Sequence, residues 1–251
     1  MNKYSQKRKR KSSLKIYIFA GLFFCLLAGL AYLLIWWPNL WVSDIEVERE
    51  DLKEIAWSEI EFPYKNIFLV KTDEIKQKIL DQYPEIKDVQ ITRQFPDILK
   101  IKIEERKNIG VWCQVEEEGI ATSTERIINK CFYFDSEGII FREALLIKGS
   151  LVLNIYGTEK SVKIRDEVIS PEVIEFILTV RDGWPEVSDF EVISFEDLRA
   201  TTNHGWQIYF NQTNSVETQL EALRTIFDKK VEPSEIMEYV DLRIKGRVYY
   251  R

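Results

Sequence analysis

Residues Ile16 to Trp37, IYIFAGLFFCLLAGLAYLLIWW, carry no charged side chain. At about 1.5 Å rise per residue this segment makes a helix of roughly 33 Å, close to the ~30 Å hydrocarbon core of a bilayer. The pair Trp36-Trp37, with Trp41 just beyond, has the chemistry of an interfacial aromatic belt. Pro38 is a natural helix stop. A cleaved signal peptide has a shorter apolar core, about 7–15 residues, and ends at small residues. This segment is longer and leaves through Leu-Ile-Trp-Trp-Pro. The sequence therefore predicts a retained transmembrane anchor over residues 16–37.

Charge divides on either side of that segment. Residues 1–15 form a basic tail holding Lys3, Lys7, Arg8, Lys9, Arg10, Lys11 and Lys15 and no acid. Basic flanks stay on the cytoplasmic side, so residues beyond the anchor are expected outside the cytoplasm. The basic run is read as a topology signal with some attraction to anionic membrane lipid. Beyond Trp37 there are 28 basic and 41 acidic residues, a net charge of -13 against -6 for the whole chain. That split argues against a wholly cytosolic, freely soluble enzyme. It also argues against nucleic acid as a partner, because the folded part would repel phosphate.

The outer sequence alternates strand and helix patterns. Trp41 to Val47 reads as a strand and Leu52 to Ile60 as a helix closed by Phe62-Pro63. Thr72-Asp73-Glu74 supplies a helix start, with Ile75, Ile79 and Leu80 on the buried face, Tyr83 near the end and Pro84 as the stop. Val89, Ile91 and Phe95 share one face of a strand. Leu99, Ile101 and Ile103 share one face of the next, with Pro96-Asp97 as the turn. Strand, helix, helix, strand, strand in this order suits a three-stranded sheet covered by two helices.

After Arg106 the texture is β-rich. Gly110 to Val115, Cys131 to Phe134, Ile139 to Phe141, Leu151 to Tyr156, Phe190 to Phe195 and Trp206 to Phe210 read as strands. Glu116 to Thr124 reads as an exposed loop, and Thr201 to Gly205 as a polar turn. Ser170-Pro171-Glu172 starts a helix that buries Val173, Ile174, Ile177 and Leu178 and ends at Gly183. Asn214-Ser215-Val216-Glu217 has the form of a capping box before a helix burying Leu220, Leu223, Ile226 and Phe227. Tyr239 to Val248 is expected to be a strand in a β-prone closing run, with Gly246 free to bend.

Chemistry-bearing residues are few. Cys25 lies in the apolar segment. Cys113 and Cys131 face each other if their strands pair antiparallel. A disulfide there would be worth roughly 3 kcal/mol in the chain-entropy model; two reduced, half-buried thiols are the alternative. Two cysteines and a distant His204 fall short of a metal site, so no metal is expected. His204 sits in turn composition, and Asp135 and Glu137 flank a hairpin tip, so turn roles are expected rather than acid–base ones. No phosphate loop or nucleophile motif appears, and neither a cofactor nor catalytic residues are expected.

Three stretches, in order, carry a family resemblance. Pro84 to Arg106, PEIKDVQITRQFPDILKIKIEER, resembles the hairpin of a POTRA domain. Cys131 to Phe141, CFYFDSEGIIF, resembles a hairpin of the domain that follows it. The terminal YVDLRIKGRVYY resembles that domain's closing strand. With the basic tail and single anchor, these are similar to the bacterial cell-division proteins FtsQ and DivIB. The resemblance implies an α+β fold: a transmembrane helix, a POTRA domain (β-α-α-β-β) over residues 40–106, and a β-rich domain with two helices over residues 107–251.

The resemblance also implies a function. A non-catalytic divisome scaffold is expected, single-pass in the bacterial cell membrane at the division septum, linking early and late division proteins in control of septal peptidoglycan synthesis. Its FtsB/DivIC-type and FtsL-type partners would add a strand at the closing strand, onto Ile244, Lys245, Gly246, Arg247, Val248, Tyr249 and Tyr250. Val240, Leu242 and Ile244 could alternatively pack the inner face, and Asp241 and Arg243 form an ion pair with a neighbouring strand. Other division proteins would meet the POTRA domain at an exposed sheet edge near Trp41 to Val47 or at the hairpin. The alternative function, resting on location and abundant carboxylates, is a membrane-anchored extracytoplasmic cell-wall enzyme.

Overall fold

The computed structural model describes residues 11–49, 66–115, 128–145, 152–158, 162–229 and 237–251. The expected helix at Leu52–Ile60, the loop at Glu116–Thr124 and the tail at 1–10 lie outside the described residues. The chain divides into two compact units, Met1–Glu105 and Arg106–Arg251.

The first unit opens with α1 (Lys11–Trp36). Its segment Ile16–Trp36 has a mean hydropathy of 2.6 and no part buried inside the protein, so it is long and apolar enough to cross a membrane. A short 3-10 turn, Pro38–Leu40, follows. Then come β1 (Asp44–Arg49), α2 (Thr72–Gln82), β2 (Ile86–Gln94) and β3 (Ile98–Glu105). The strands form a sheet ordered β1-β3-β2, with β1 parallel and β2 antiparallel to β3. Among the described residues, both β1 and β2 are edges of it.

Alternation along β2 and β3 buries Val89, Leu99, Ile101 and Ile103 against Ile75 and Ile79 of α2. Two expectations change here. The N-cap of α2 is Lys71, whose side chain makes no capping bond, and Thr72 is the first helical residue. Phe95 is 57% exposed rather than in the core. It sits in the tight turn between β2 and β3, where the strand alternation has already ended.

The second unit, among its described residues, holds a nine-stranded mixed sheet ordered β12-β11-β10-β9-β8-β7-β4-β5-β6. The meander β4 (Gly110–Val115), β5 (Ile128–Phe134) and β6 (Ile140–Ala144) is antiparallel. Next, β7 (Asn154–Gly157) lies parallel to the far side of β4. Two crossovers complete the sheet. Helix α3 (Pro171–Gly183) carries the chain from β7 to the parallel β8 (Val187–Ser194). Helix α4 (Val216–Lys229) carries it from β10 (Gln207–Phe210) to the parallel β11 (Tyr239–Asp241). Parallel neighbours cannot be joined by a hairpin, so each of these two pairings needs a crossover, which the helix supplies.

Between them β9 (Asp197–Thr202), DLRATT, pairs with both β8 and β10. Its polar composition gave no strand signal, yet Leu198, Ala200 and Thr202 alternate inward.

The main core packs Trp112, Phe134, Ile155, Phe190, Ile208 and Phe210 of the sheet with Ile174 and Ile177 of α3 and Leu223 of α4. Val180 is also fully buried, whereas Leu178 is only half-buried. Gly183 is the last residue of α3, not a left-handed cap: a Cβ there would lie 2.5 Å from Cδ1 of Leu220, so its absence lets α3 and α4 approach. The other face of β4 carries Val111 and Cys113, which pack with Cys131 and Tyr156. Cys113 is directly opposite Cys131 in the β4–β5 register, and their sulfurs form a disulfide.

Candidate functional site

The expected closing strand Tyr239–Val248 stops after Asp241, and a second short strand follows it. Tyr239–Asp241 forms β11, and Tyr249–Tyr250 forms β12 (Tyr249–Tyr250), antiparallel to it. Between them Ile244 to Arg247 makes a turn in which the Arg247 N–H donates to Ile244 O at 3.0 Å. Gly246 has φ +74 at its third position, a left-handed conformation available to glycine without cost. The docking residues expected on one extended strand are thus divided between a turn and a two-residue edge.

The D-L-R segment explains why the chain leaves the sheet at Asp241. Val240 and Leu242 are buried, while Asp241 and Arg243 face the opposite side. Asp241 accepts from the Arg243 backbone N–H at 3.0 Å, from Nε at 3.0 Å and from Nη2 at 2.7 Å. This ties two residues of one segment into a closed loop, rather than pairing strand to strand alone. Arg243 also reaches across the sheet to Asp197 of β9 at 3.2 Å. Its guanidinium lies 5.0 Å from the ring centroid of Tyr209 on β10, and Arg199 of β9 lies 5.3 Å from the same ring. Tyr209 in turn stacks on Tyr239 of β11 at 5.5 Å.

Burial works against the ionised Asp241 carboxylate, but hydrogen bonds from Arg243 outweigh it and lower its pKa. The Arg243 pKa is raised, chiefly by its hydrogen bonds to Asp241.

Past this clamp, the backbone carbonyl of Arg243 accepts from Asn211 and Asn214 side chains at 3.4 and 3.2 Å. The turn is thereby held beside the N-terminal end of α4. Ser215 is the N-cap there, its Oγ accepting from the Thr218 N–H at 3.3 Å. It also donates to Glu217 at 2.6 Å, the main reason that the Glu217 pKa is lowered. The capping residue is Ser215 and not Asn214, which instead braces the turn. Gln219, 4% exposed, donates to Asn211 O at 2.8 Å and accepts from the Asn211 N–H at 3.0 Å, locking the loop before α4.

Turn and helix enclose a groove of about 310 Å³. Ser215, Thr218, Ala222 and Leu242 supply one wall and floor, and residues 244–248 the other wall. Its charged lining groups, Lys245 and Arg247, are both cations and exposed. Ile244 is 52% exposed at the rim, while Val248 is half-buried and packs on the main core. Tyr249 and Tyr250 are exposed on β12.

Among the described residues β12 is the last strand of its sheet. Tyr239 and Arg251 exchange both backbone bonds, at 3.3 and 3.2 Å. The next opposed pair, Val240 and Tyr250, is then the non-hydrogen-bonded one, and Tyr250 turns its N–H and C=O outward. An outward-facing donor and acceptor beside a cationic, partly apolar groove can receive an extended acidic-apolar chain.

Other expected sites are structural. Asp135, 2% exposed, accepts from the N–H groups of Glu137 and Ile139 at 2.9 and 3.1 Å and pairs with Arg106. It therefore organises the β5–β6 turn. His204 is exposed in a turn, 4.0 Å from Glu186.

The family model described as "POTRA domain, FtsQ-type" matches residues 42–106, about a quarter of the chain. With the apolar helix ahead of that domain, the chain is similar to FtsQ/DivIB proteins over these parts. The match spans β1, α2, β2 and β3 and places the FtsQ-type POTRA domain directly after the anchor-length helix. No curated protein matches the chain. The architecture is accordingly α+β, with an apolar helix, a POTRA-type domain and a β-rich region carrying two helices.

Proposed function

We propose that this protein is a non-catalytic scaffold of the bacterial division complex, anchored by α1 in the cell membrane with both outer units outside the cytoplasm. Its C-terminal edge binds an FtsB/DivIC-type partner, accompanied by an FtsL-type chain, and so takes part in controlling septal peptidoglycan synthesis. The POTRA domain recruits other division proteins, its open edges β1 and β2 being the surfaces suited to this. An FtsQ-type POTRA domain supports a division-associated scaffold family, one generally without enzymatic activity.

The observation that carries the partner reading is the open β12 edge beside the groove. The outward Tyr250 N–H and C=O supply main-chain bonding, the exposed rings of Tyr249 and Tyr250 supply aromatic anchors, and Lys245 and Arg247 select acidic partner residues.

The test is binding of the full chain in detergent to a DivIC/FtsB-type ectodomain. Tyr250→Pro removes the outward N–H while leaving the Tyr239–Arg251 bonds, and is expected to weaken binding at least tenfold. Lys245→Glu with Arg247→Glu is expected to slow association and reduce its salt dependence. Unchanged affinity in both variants would refute docking at this edge.

A further inference from the structure

We infer that the POTRA domain is seated on the outer surface of the bilayer by an aromatic wedge, Phe68, Leu69 and Phe95, which enters the lipid interface. This rests on the reading of α1 as a membrane anchor.

In a helix the Leu34 carbonyl would accept from the residue four places on, but that residue is Pro38, which has no N–H. An unpaired carbonyl at the edge of the hydrocarbon region is costly. The POTRA domain supplies the missing donor. Asn66, 4% exposed, donates its side-chain Nδ2 to Leu34 O at 3.1 Å and to Ile35 O at 2.8 Å. Its Oδ1 accepts from the Phe68 N–H at 2.9 Å, so every hydrogen-bonding group of that amide pulls the 66–69 turn onto the last turn of the helix. The Ile67 N–H donates to Leu40 O at 2.8 Å on the same side.

The turn is also held from the domain. Arg93 of β2 donates to Ile67 O at 3.0 Å and to Val70 O at 2.8 Å. It is a rigid element at the depth of Leu34 and Ile35, where a helix of anchor length leaves the hydrocarbon.

What this element displays is apolar. Among the described residues of the unit beyond Trp37, the large exposed hydrophobic side chains are Trp41, Phe68, Leu69 and Phe95. Phe68 and Phe95 rest against each other at 5.0 Å. Trp41 bridges to Asn66. The β2–β3 turn is tied to the same place, Ser43 donating to Asp97 through N–H at 3.0 Å and Oγ at 2.6 Å. The 66–69 turn, Trp41 and the β2–β3 turn are therefore all tied to the segment where the helix ends, and Trp36 and Trp37 lie in that segment. Aromatic rings at that level match the chemistry of the headgroup–acyl boundary.

The test uses the full chain in phosphatidylcholine/phosphatidylglycerol vesicles, with an NBD fluorophore on single cysteines and lipids spin-labelled high on the acyl chain. Labels at Phe68→Cys and Phe95→Cys, in a Cys25→Ser background, are expected to emit at shorter wavelength than a label at Glu104→Cys and to be quenched by the shallow spin label. Glu104 is exposed about 20 Å along β3 from its start, at ~3.3 Å per residue. Native Cys25, labelled in the unsubstituted chain, reports the anchor and is expected to be quenched by a deep spin label. Unquenched labels at 68 and 95 beside a quenched Cys25 would overturn the wedge and leave the anchor standing. A blue shift without lipid quenching overturns it equally, since the ring would then be shielded by protein. An unquenched Cys25 removes the anchor and the wedge together. Asn66→Ala, in the Phe68→Cys background, is expected to reduce quenching at position 68; full retention of quenching contradicts the seating role of Asn66.

Discussion

Asp241→Asn isolates the clamp that shapes the groove. The substitution keeps the side chain's size but removes the charge that receives three donors from Arg243. The Asp241 side chain is 16% exposed and that of Arg243 33%, so the pair is neither a surface bridge nor a fully buried one. Surface pairs contribute about 0–1 kcal/mol and breaking a buried pair costs about 3–5 kcal/mol, which puts this loss at roughly 2 kcal/mol. Arg243 retains Asp197 at 3.2 Å and the Tyr209 ring, which keeps the figure below the buried limit. For a unit of this size about 2 kcal/mol lowers Tm by about 4–8 °C.

The assay is thermal unfolding of the full chain in detergent, followed by near-UV circular dichroism, to which the buried Trp112 and Trp206 contribute. The pH dependence follows from the lowered Asp241 pKa. The clamp's contribution is fully present above the unfolded value of about 3.9 and is lost as pH falls through the folded value. The difference between wild type and Asp241→Asn is expected to be constant from pH 7 to about pH 5 and to narrow below pH 4. Equal Tm values at neutral pH, or a difference that persists unchanged below the carboxylate range, would refute the clamp.

Four further outcomes concern the second unit. Cys113 and Cys131 should resist alkylation in the unreduced full chain while Cys25 reacts, as judged by intact mass after detergent solubilisation; replacing Cys113 with Ser should cost about 2–4 kcal/mol in denaturant unfolding. Gly138→Ala should be severely destabilising, by about 3 kcal/mol or more, because φ is +74 and the new Cβ would lie 1.7 Å from Ile169 O. Gly205→Ala, with φ +88 but open space around it, should cost only about 1–2 kcal/mol in the same assay. Gly183→Ala should cost about 1–3 kcal/mol, since the Leu220 side chain must give way from 2.5 Å, and the loss should be partly recovered by Leu220→Ala in a double-mutant cycle.

Legibility in the sequence followed the range of the interaction. Strict alternation made Leu99, Ile101 and Ile103 recognisable as one face of β3, and the apolar spacing in α4 gave Leu220, Leu223 and Ile226 directly. By contrast β9 was hidden, since DLRATT has too few large apolar residues to signal a strand. Its inward positions are filled by Leu198, Ala200 and Thr202 because β8 and β10 flank it on both sides. Phe95 falls on the inward parity only if the period is extended past the end of β2 at Gln94. In the closing run Val240, Leu242, Ile244 and Val248 fit a two-residue period, which predicts one strand. The bidentate Asp241–Arg243 bond and the glycine turn at 244–247 end that period after Leu242, and the only local sign of it was Gly246.

Properties that depend on near neighbours were legible in the chain alone: an uncharged segment of membrane length, the faces of strands and helices, and the acidic balance beyond that segment. The tertiary structure decided what depends on distant partners. It set which strands lie side by side through the α3 and α4 crossovers, and it put Arg243 over Tyr209, Asn66 under the carbonyls of α1 and the 244–248 turn against α4. The physical reason is that side-chain periodicity specifies which face of an element is buried. The neighbour that covers it is chosen by the pairing of backbone groups and the packing of volumes far apart in the chain.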